Sequence, residues 1–323
     1  MNNKEIYRKT IGFSIRRLVW DILAFILLGA LTLGGFYIAD KTAGNGTPGL
    51  LIGLLAGLIA VGIFLRYISY TYKAGQIAMI TKAVTEGSLP DDVVAEGKRT
   101  VKERFATVAA YFAVTRVIRG IFQQIGRGIT SVGKSIGGDN GGTVGSVISA
   151  AIQTVVAYLC DCCLGWVFYR RETKATRATC EGAVLFFKHG KTLAKNMGRV
   201  FGIGLISLVL IGGAFAGIFY GIFSAYPVAF GDMSAEFAEL LKDSTSAAAE
   251  YLTDPGRLMI TAAVLAGVIL WSILHSAFVR PFILTGVLRN YIQSGMEETP
   301  TEASFRMLDS KSARFAKLHA QLD

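Results

Sequence analysis

The sequence predicts an all-α integral membrane protein with about six transmembrane helices, and its composition and apolar runs support this fold class. Apolar residues make up 52% of the 323 residues and charged residues only 17%, whereas soluble domains carry roughly 25% charged residues. Long apolar runs recur along the chain, and several reach the roughly 20 residues that cross a bilayer as a helix.

The orientation of these helices follows from the stretch 144–196. An apolar run that ends at Tyr169 meets a basic block that begins with Arg170 and Arg171. Because Lys and Arg accumulate on the cytoplasmic side of a membrane, this junction lies inside. The same bias predicts that the N and C termini are both inside.

Six spans satisfy this orientation. A cytoplasmic N-terminus (1–17) precedes the membrane domain (18–286), and a cytoplasmic amphipathic tail (287–323) follows it. The predicted spans are about 18–38, 49–72, 105–124, 144–169, 200–223 and 258–285. The third span is short and contains Arg116 and Arg119, but it must cross, because otherwise the basic block after the fourth span would face outside.

The segments between the spans carry helical patterns of their own. Residues 74–84 (AGQIAMITKAV) are apolar enough to lie on the membrane surface, and Pro90 is expected to open a charged helix. The acidic outer segment 227–256 predicts an amphipathic helix. In the tail, the pattern from Thr299 to Glu302 predicts a capping box, followed by an apolar stripe.

The net charge of +10 reflects basic residues beside the spans. It therefore indicates contact with anionic lipid headgroups rather than with nucleic acid, and the lipid bilayer is the predicted partner. The four cysteines lie at or near the inner face and are expected to be free thiols. No cofactor is expected.

The segment from Gly128 to Ser135 (GITSVGKS) matches the phosphate-loop pattern letter for letter. That mechanism needs a strand before the loop and a helix after it. Here an apolar helix precedes, glycines follow, and the predicted topology places the loop outside. Nucleotide binding is therefore a minor alternative, to be revived only if this loop proves to be cytoplasmic.

The motif Cys160-Asp161-Cys162-Cys163 lacks the paired spacing of a metal site, so packing between helices is the favoured interpretation. We find no paired carboxylates, nucleophile elbow or zinc-protease motif, and we predict no enzyme. Asp161 itself is costly inside an apolar helix and is a functional candidate. The alternative is a structural ion pair, for which Arg116 or Arg119 is available.

Several motifs between Gly49 and Gly295 follow one another in a characteristic order. A span is followed by SLPDDVVAEGKRTVKERF, then by VAAYFAVTRVIRGIF, LCDCCLGW and TRATCEGAVLFFKHGKTLAKNMGRV, and finally by HSAFVRPFILTGVLRNYIQSG. This order resembles the C-terminal half of the choline transporter-like family of solute carriers. The resemblance implies a shared helical core and a substrate such as choline or a related amine, and its best-matching segment contains Trp166.

These observations predict a plasma-membrane, transporter-like protein for a small organic cation such as choline. The hypothesised site lies between the third, fourth and sixth spans, where Asp161 supplies charge and Arg116 lies on the third span. Trp166, Tyr158 and Trp271 supply aromatic faces, which attract quaternary ammonium groups, although such residues also form interfacial belts.

The alternative is a non-transporting scaffold or a pore-forming homo-oligomer. In that case the amphipathic regions 174–196 and 299–322 bind a partner or the membrane surface.

Overall fold

The computed structural model describes residues 1–105, 110–121, 123, 141–242, 247–298 and 300–322. All regular structure in these ranges is helical. Four helices are long and apolar enough to cross a membrane: Asn3–Ala43, Pro48–Glu86, Gly202–Phe223 and Pro255–Glu297. The all-α class is therefore confirmed, and helices of spanning length occur at four of the six predicted positions.

Helices α1 (Asn3–Ala43) and α2 (Thr47–Glu86) form a long antiparallel hairpin. Gly44 ends α1 at φ 68°, a left-handed conformation that glycine adopts without steric cost. At 40 residues, α2 is about 60 Å long, twice the roughly 30 Å of a hydrocarbon core. It therefore extends well beyond the membrane.

The third and fourth predicted spans correspond to α4 (residues 110–121) and α5 (Gly141–Tyr169). The ranges 106–109 and 124–140 lie outside the described residues, so crossings at these two positions stay predictions. Before them, α3 covers Val93–Arg104, and the Asp92 side chain caps it by accepting a hydrogen bond from the amide of Ala95. The start predicted at Pro90 is therefore wrong by three residues.

The remaining helices run to the end of the chain, with π-helical turns inside the fifth and sixth predicted spans. In order they are α6 (Ala175–Ser207), a π-helical turn (Leu208–Gly212), α7 (Gly213–Phe223), α8 (Pro227–Leu240), α9 (Ala247–Thr253), α10 (Pro255–Leu274), a second π-helical turn (His275–Val279), α11 (Arg280–Glu297), α12 (Glu302–Asp309) and α13 (Ala313–His319).

The chain divides into two compact units. The first unit comprises Met1–Gly198 and Pro281–Asp323, and the second comprises Arg199–Arg280. Within the second unit, α10 packs closely on α7 at Gly267, where a side chain would meet the backbone of Ala216. Many apolar side chains of this unit are exposed, as expected of helices that face lipid.

The segment 74–84 belongs to the buried core of the first unit, so the prediction that it lies on the membrane surface is wrong. Ile77, Met79 and Ile80 are fully buried. The segment packs against α1 and α3 near Gly75 and against α5 near Thr81. Its apolar residues occur on all sides of the helix, and such a helix is stable only when protein surrounds it.

The tail forms a small helical hairpin, α12 and α13, that belongs to the first unit. Its predicted apolar stripe is buried in one cluster with residues of α4, α5 and α6; the tail contributes Phe305, Leu308, Phe315 and Leu318. Helix α12 begins at Glu302 after the N-cap residue Thr301, two residues later than the capping box predicts.

Candidate functional site

Asp161 of α5 is buried and forms an ion pair with Lys73 of α2. The distance from its Oδ1 to the Lys73 Nζ is 2.6 Å. The carboxylate side chain is 4% exposed, whereas the lysine side chain is 26% exposed. The sequence suggested a pair with Arg116 or Arg119, but both of these residues are exposed on α4, and the pair that the structure shows is with α2.

The continuity of α2 explains this pairing. The sequence analysis ended the second span at Tyr72, which placed Lys73 in a polar cytoplasmic segment. In the structure α2 runs on without a break to Glu86, so Lys73 projects from a rigid helix that packs against α5. A buried carboxylate without a partner is strongly destabilising, and the ammonium group of Lys73 removes that cost.

Five aromatic side chains from α2, α4, α5 and the residue after α3 form a cluster beside this pair. They are Tyr70, Phe105, Tyr111, Phe112 and Phe168. The ring centroid of Tyr111 lies 5.0 Å from that of Tyr70 and 5.4 Å from those of Phe105 and Phe112, and Phe105 lies 5.7 Å from Phe168. Phe168 follows Asp161 by two helical turns on the same face of α5, and Tyr70 shares a face of α2 with Lys73.

Near the Asp161–Lys73 pair the structure places this aromatic cluster, none of whose five members is among the predicted site residues Asp161, Trp166, Tyr158, Trp271 and Arg116. Tyr158 is buried one turn before Asp161 on α5 and remains a candidate wall of the site. Tyr70 and Phe105 are not among the residues predicted from the sequence. Tyrosines at the end of a span commonly form an interfacial belt, and nothing local indicates that Tyr70 faces another helix.

Trp166 lies elsewhere on α5. Trp166 is the fifth residue after Asp161, which places the two side chains about 140° apart around the helix. Its indole Nε1 donates a 3.2 Å hydrogen bond to Glu181 of α6, and its ring lies against Gly295 of α11. Trp166 therefore joins α5 to α6 and α11.

Trp271 belongs to the second unit. Its Nε1 donates a 3.1 Å hydrogen bond to the hydroxyl of Ser207, and its ring centroid lies 5.0 Å from that of His275. Trp271 thus packs against the start of the π-helical turn His275–Val279 and the last residue of α6.

A network of arginines surrounds the carboxyl end of α5. The guanidinium group of Arg104 donates to the carbonyl oxygens of Arg170 at 3.1 Å and Arg171 at 3.0 Å, and it thereby joins the last residue of α3 to the turn after α5. Burial lowers the pKa of Arg104 from its ordinary value. Arg170 also pairs with the buried Glu181, at 3.0 Å from Nε to Oε2. The sequence analysis identified this basic block only as a topology signal.

The four cysteines are free thiols: Cys162, Cys163 and Cys180 are buried, and Cys160 is partly buried. Burial raises the pKa of Cys180 to about 12, and the nearby carboxylates of Asp309 and Glu181 add to the effect. Within the part of the chain that the structure describes, no group of three His, Cys, Asp or Glu residues is placed to hold a metal ion.

The phosphate-loop match from Gly128 to Ser135 lies outside the described residues. The nucleotide-binding alternative therefore stays a prediction that depends on the topology of this loop.

In comparisons with known proteins, no family model, curated protein or solved structure matches this chain. The likeness to the choline transporter-like family therefore stays a prediction that depends on the order of sequence features. The fold and the site define the class: a helical membrane protein with a buried carboxylate–ammonium pair beside an aromatic cluster.

Proposed function

We propose that this protein is a membrane carrier for a small organic cation such as choline, with Asp161 as the counter-charge. One observation carries the proposal: the buried Asp161 carboxylate already holds an ammonium group, that of Lys73. Each partner shares a helix face with a member of the aromatic cluster, Phe168 on α5 and Tyr70 on α2. Choline carries the same positive charge, on a quaternary ammonium that aromatic faces also attract.

The physical argument rests on two attractions that act together. A carboxylate in a poorly solvated environment favours a cation at short range, since the interaction between charges strengthens as the dielectric constant falls. Aromatic faces attract quaternary ammonium groups through the negative charge of their ring faces. Tyr111 is central to the rings, because it contacts Tyr70, Phe105 and Phe112, and Tyr70 shares a face of α2 with Lys73.

The proposal includes the predicted topology: six spans, both termini inside, and a location in the plasma membrane. In that topology the segment 227–256 lies outside. Its acidic residues would raise the local concentration of cations near the entrance.

The test is uptake of labelled choline by the purified protein in liposomes, with Asp161→Asn as the variant. We expect saturable uptake by the wild type and a loss of at least tenfold in Asp161→Asn. The matched control is Asp21→Asn on α1, where Asp21 pairs at 3.9 Å with Arg17 of its own helix. This control should retain uptake.

Thermal unfolding of each variant in detergent separates loss of function from loss of fold. Folded wild-type protein that neither binds nor takes up choline would overturn the proposal. Equal uptake by wild type and Asp161→Asn would remove Asp161 from the site.

The scaffold or pore alternative gains less support, because the two regions that it requires contact each other. Cys180, Ala183 and Val184 of α6 lie in one buried cluster with Phe305 and Phe315 of the tail. These apolar surfaces are therefore covered within one chain. A closed ring of five or more protomers in detergent would nevertheless favour the pore-forming homo-oligomer.

A further inference from the structure

We infer that Lys73 is an internal occupant of the cation site, which an incoming organic ammonium replaces at Asp161. The inference rests on the proposed function and adds to it how the empty site is held and what the substrate must displace. It gives Lys73, a residue that the sequence analysis did not select, the role of a tethered competitor.

The two partners of the ion pair, Asp161 and Lys73, are unequally buried. The carboxylate of Asp161 is 4% exposed, and the lysine side chain is 26% exposed. On α5, the residues on both sides of Asp161 are largely buried, as Leu159 and Cys162 illustrate. The carboxylate is therefore fixed, while the lysine is the partner with a route toward solvent.

The chemistry of the lysine side chain allows this ion pair to open. Its ammonium group is a compact, strongly hydrated charge on a flexible four-carbon chain. It can rotate away from Asp161 and recover its hydration, whereas a guanidinium group would hold the carboxylate in a rigid two-point contact. Lysine is therefore suited to a pair that must open.

An exchange of one cation for another keeps the charge of Asp161 balanced. Burying a charge without a partner is strongly unfavourable. If one cation leaves Asp161 as another arrives, the carboxylate is neutralised before and after the exchange. Two cations at once are disfavoured, because a single carboxylate would leave the second buried cation without a counter-charge. The substrate must therefore replace Lys73 rather than join it.

The aromatic cluster explains how a substrate competes with a tethered group. Tyr70 lies three residues before Lys73, so the two side chains share a face of α2. Tyr70 contacts Tyr111 and Phe112, at centroid distances of 5.0 Å and 6.0 Å. Lys73 gains hydrogen bonds to the carboxylate that a quaternary ammonium, which has no N–H donor, cannot form. The quaternary ammonium instead binds through its charge and through the ring faces, which the primary ammonium of Lys73 uses less. The site therefore favours methylated amines as its ligands.

The direct test uses the wild-type protein and the reactivity of the Lys73 amine. An amine-acylating reagent is applied across a choline titration, and modification is quantified by mass spectrometry, with the exposed Lys102 as the reference. Displacement by choline should raise Lys73 modification several-fold, with the same half-saturation as choline binding. In Asp161→Asn, modification should be high without choline.

Variants at Lys73 give an independent result. Lys73→Gln removes the competitor, so we expect choline to bind at least threefold more tightly, whereas Lys73→Arg should weaken binding. A purely structural pair predicts the opposite for Lys73→Gln: a less stable protein that binds more weakly. The double variant Lys73→Gln with Asp161→Asn restores neutrality and should not bind choline.

The outcomes separate the two proposals. If neither the wild type nor Lys73→Gln binds choline, the proposed function is overturned. If the wild type binds choline while Lys73 modification stays constant and Lys73→Gln binds no more tightly, only the exchange is overturned. Because the reactivity measurement uses the wild type, it remains decisive even if a variant fails to fold.

Discussion

The indole of Trp166 donates a buried hydrogen bond of 3.2 Å to the carboxylate of Glu181, which joins α5 to α6. The same carboxylate pairs with Arg170 at 3.0 Å and with Arg177 at 3.7 Å, and its side chain is only 7% exposed. Glu181 therefore anchors the basic turn between the two helices to the buried end of α5.

Replacing Glu181 with glutamine should destabilise the first unit. The substitution keeps the side-chain volume but removes the charge that two arginines and an indole share, and hydrogen bonds to charged groups contribute about 1.5–3 kcal/mol. Because Arg170 is 42% exposed, solvent screening reduces this value, and we expect a loss of about 1–2 kcal/mol in the free energy of unfolding.

Thermal unfolding in detergent measures this loss. The control is Glu172→Gln, which removes an exposed carboxylate from the same turn and should change the melting temperature little. Equal melting temperatures for the two variants would show that Glu181 does not anchor the turn.

Gly53→Ala should weaken the hairpin of α1 and α2. A Cβ atom at Gly53 would overlap the carbonyl oxygen of Leu31, and one at Gly35 would overlap that of Gly49. Because both contacts are with backbone, the helices must separate to accept a methyl group. Overpacking of this kind costs about 1–3 kcal/mol.

A second glycine of α2 provides a control of opposite sign. A Cβ atom at Gly62 would meet nothing within 4 Å, and alanine favours the helix over glycine by about 1 kcal/mol. Gly62→Ala should therefore raise the thermal stability of the protein, whereas Gly53→Ala lowers it. A change of the same sign in both variants would contradict the close approach of the two helices.

The sequence predicted the class of the fold because composition and the length of apolar runs are sufficient to indicate spanning helices. It could not predict the surroundings of the segment 74–84. An apolar helical segment is compatible with lipid, the membrane surface or a protein core, and only the packing against α3 and α5 decides among them. The tail shows the same limit: its stripe was visible, but not the helices that it covers.

The candidate site shows a similar division. Asp161 was visible because a carboxylate in an apolar run is costly. Its partner Lys73 lies far away in the sequence, so no local pattern connects the two residues. Trp166 follows Asp161 closely in sequence, yet it lies on another side of α5. Closeness in sequence therefore does not show which aromatic side chains lie near the pair, whereas the contact between Tyr70 and Tyr111 places aromatic rings on the face of α2 that carries Lys73.

Acid should weaken the contact between α2 and α3 at Glu96. The carboxylate accepts two hydrogen bonds of 2.9 Å from Arg99, and it lies 3.4 Å from the ammonium of Lys82 on α2. The Arg99 hydrogen bonds, together with the charges of Arg99 and Lys82, hold the pKa of Glu96 below its ordinary value. A lowered pKa stabilises the fold above the ordinary value near 4.5, and this stabilisation is lost as the pH falls through the lowered pKa.

The measurement compares wild type with Glu96→Gln across pH. At pH 7 the variant should be less stable, by less than about 1 kcal/mol because Arg99 is exposed. The difference should shrink toward zero as the solution becomes acidic enough to protonate Glu96. Asp91→Asn, an exposed carboxylate before the same helix, serves as the control. A difference between wild type and Glu96→Gln that does not depend on pH would refute the role of charge at Glu96.

Phe315→Ala should release the tail hairpin from α4, α5 and α6. Phe315 is fully buried and packs in the cluster with Ile118 of α4 and Leu159 of α5, and truncation of a buried phenylalanine costs about 3–5 kcal/mol. A hairpin of two short helices cannot offset such a loss, since isolated helices of this length are marginal in water. We therefore expect limited proteolysis to cleave the tail at least tenfold faster than in the wild type, while α1 and α2 stay protected.

Met307→Ala on α12 is the matched control, because Met307 is 42% exposed and its replacement should leave the cleavage rate unchanged. Equal cleavage rates for Phe315→Ala and wild type would mean that the cluster does not hold the tail.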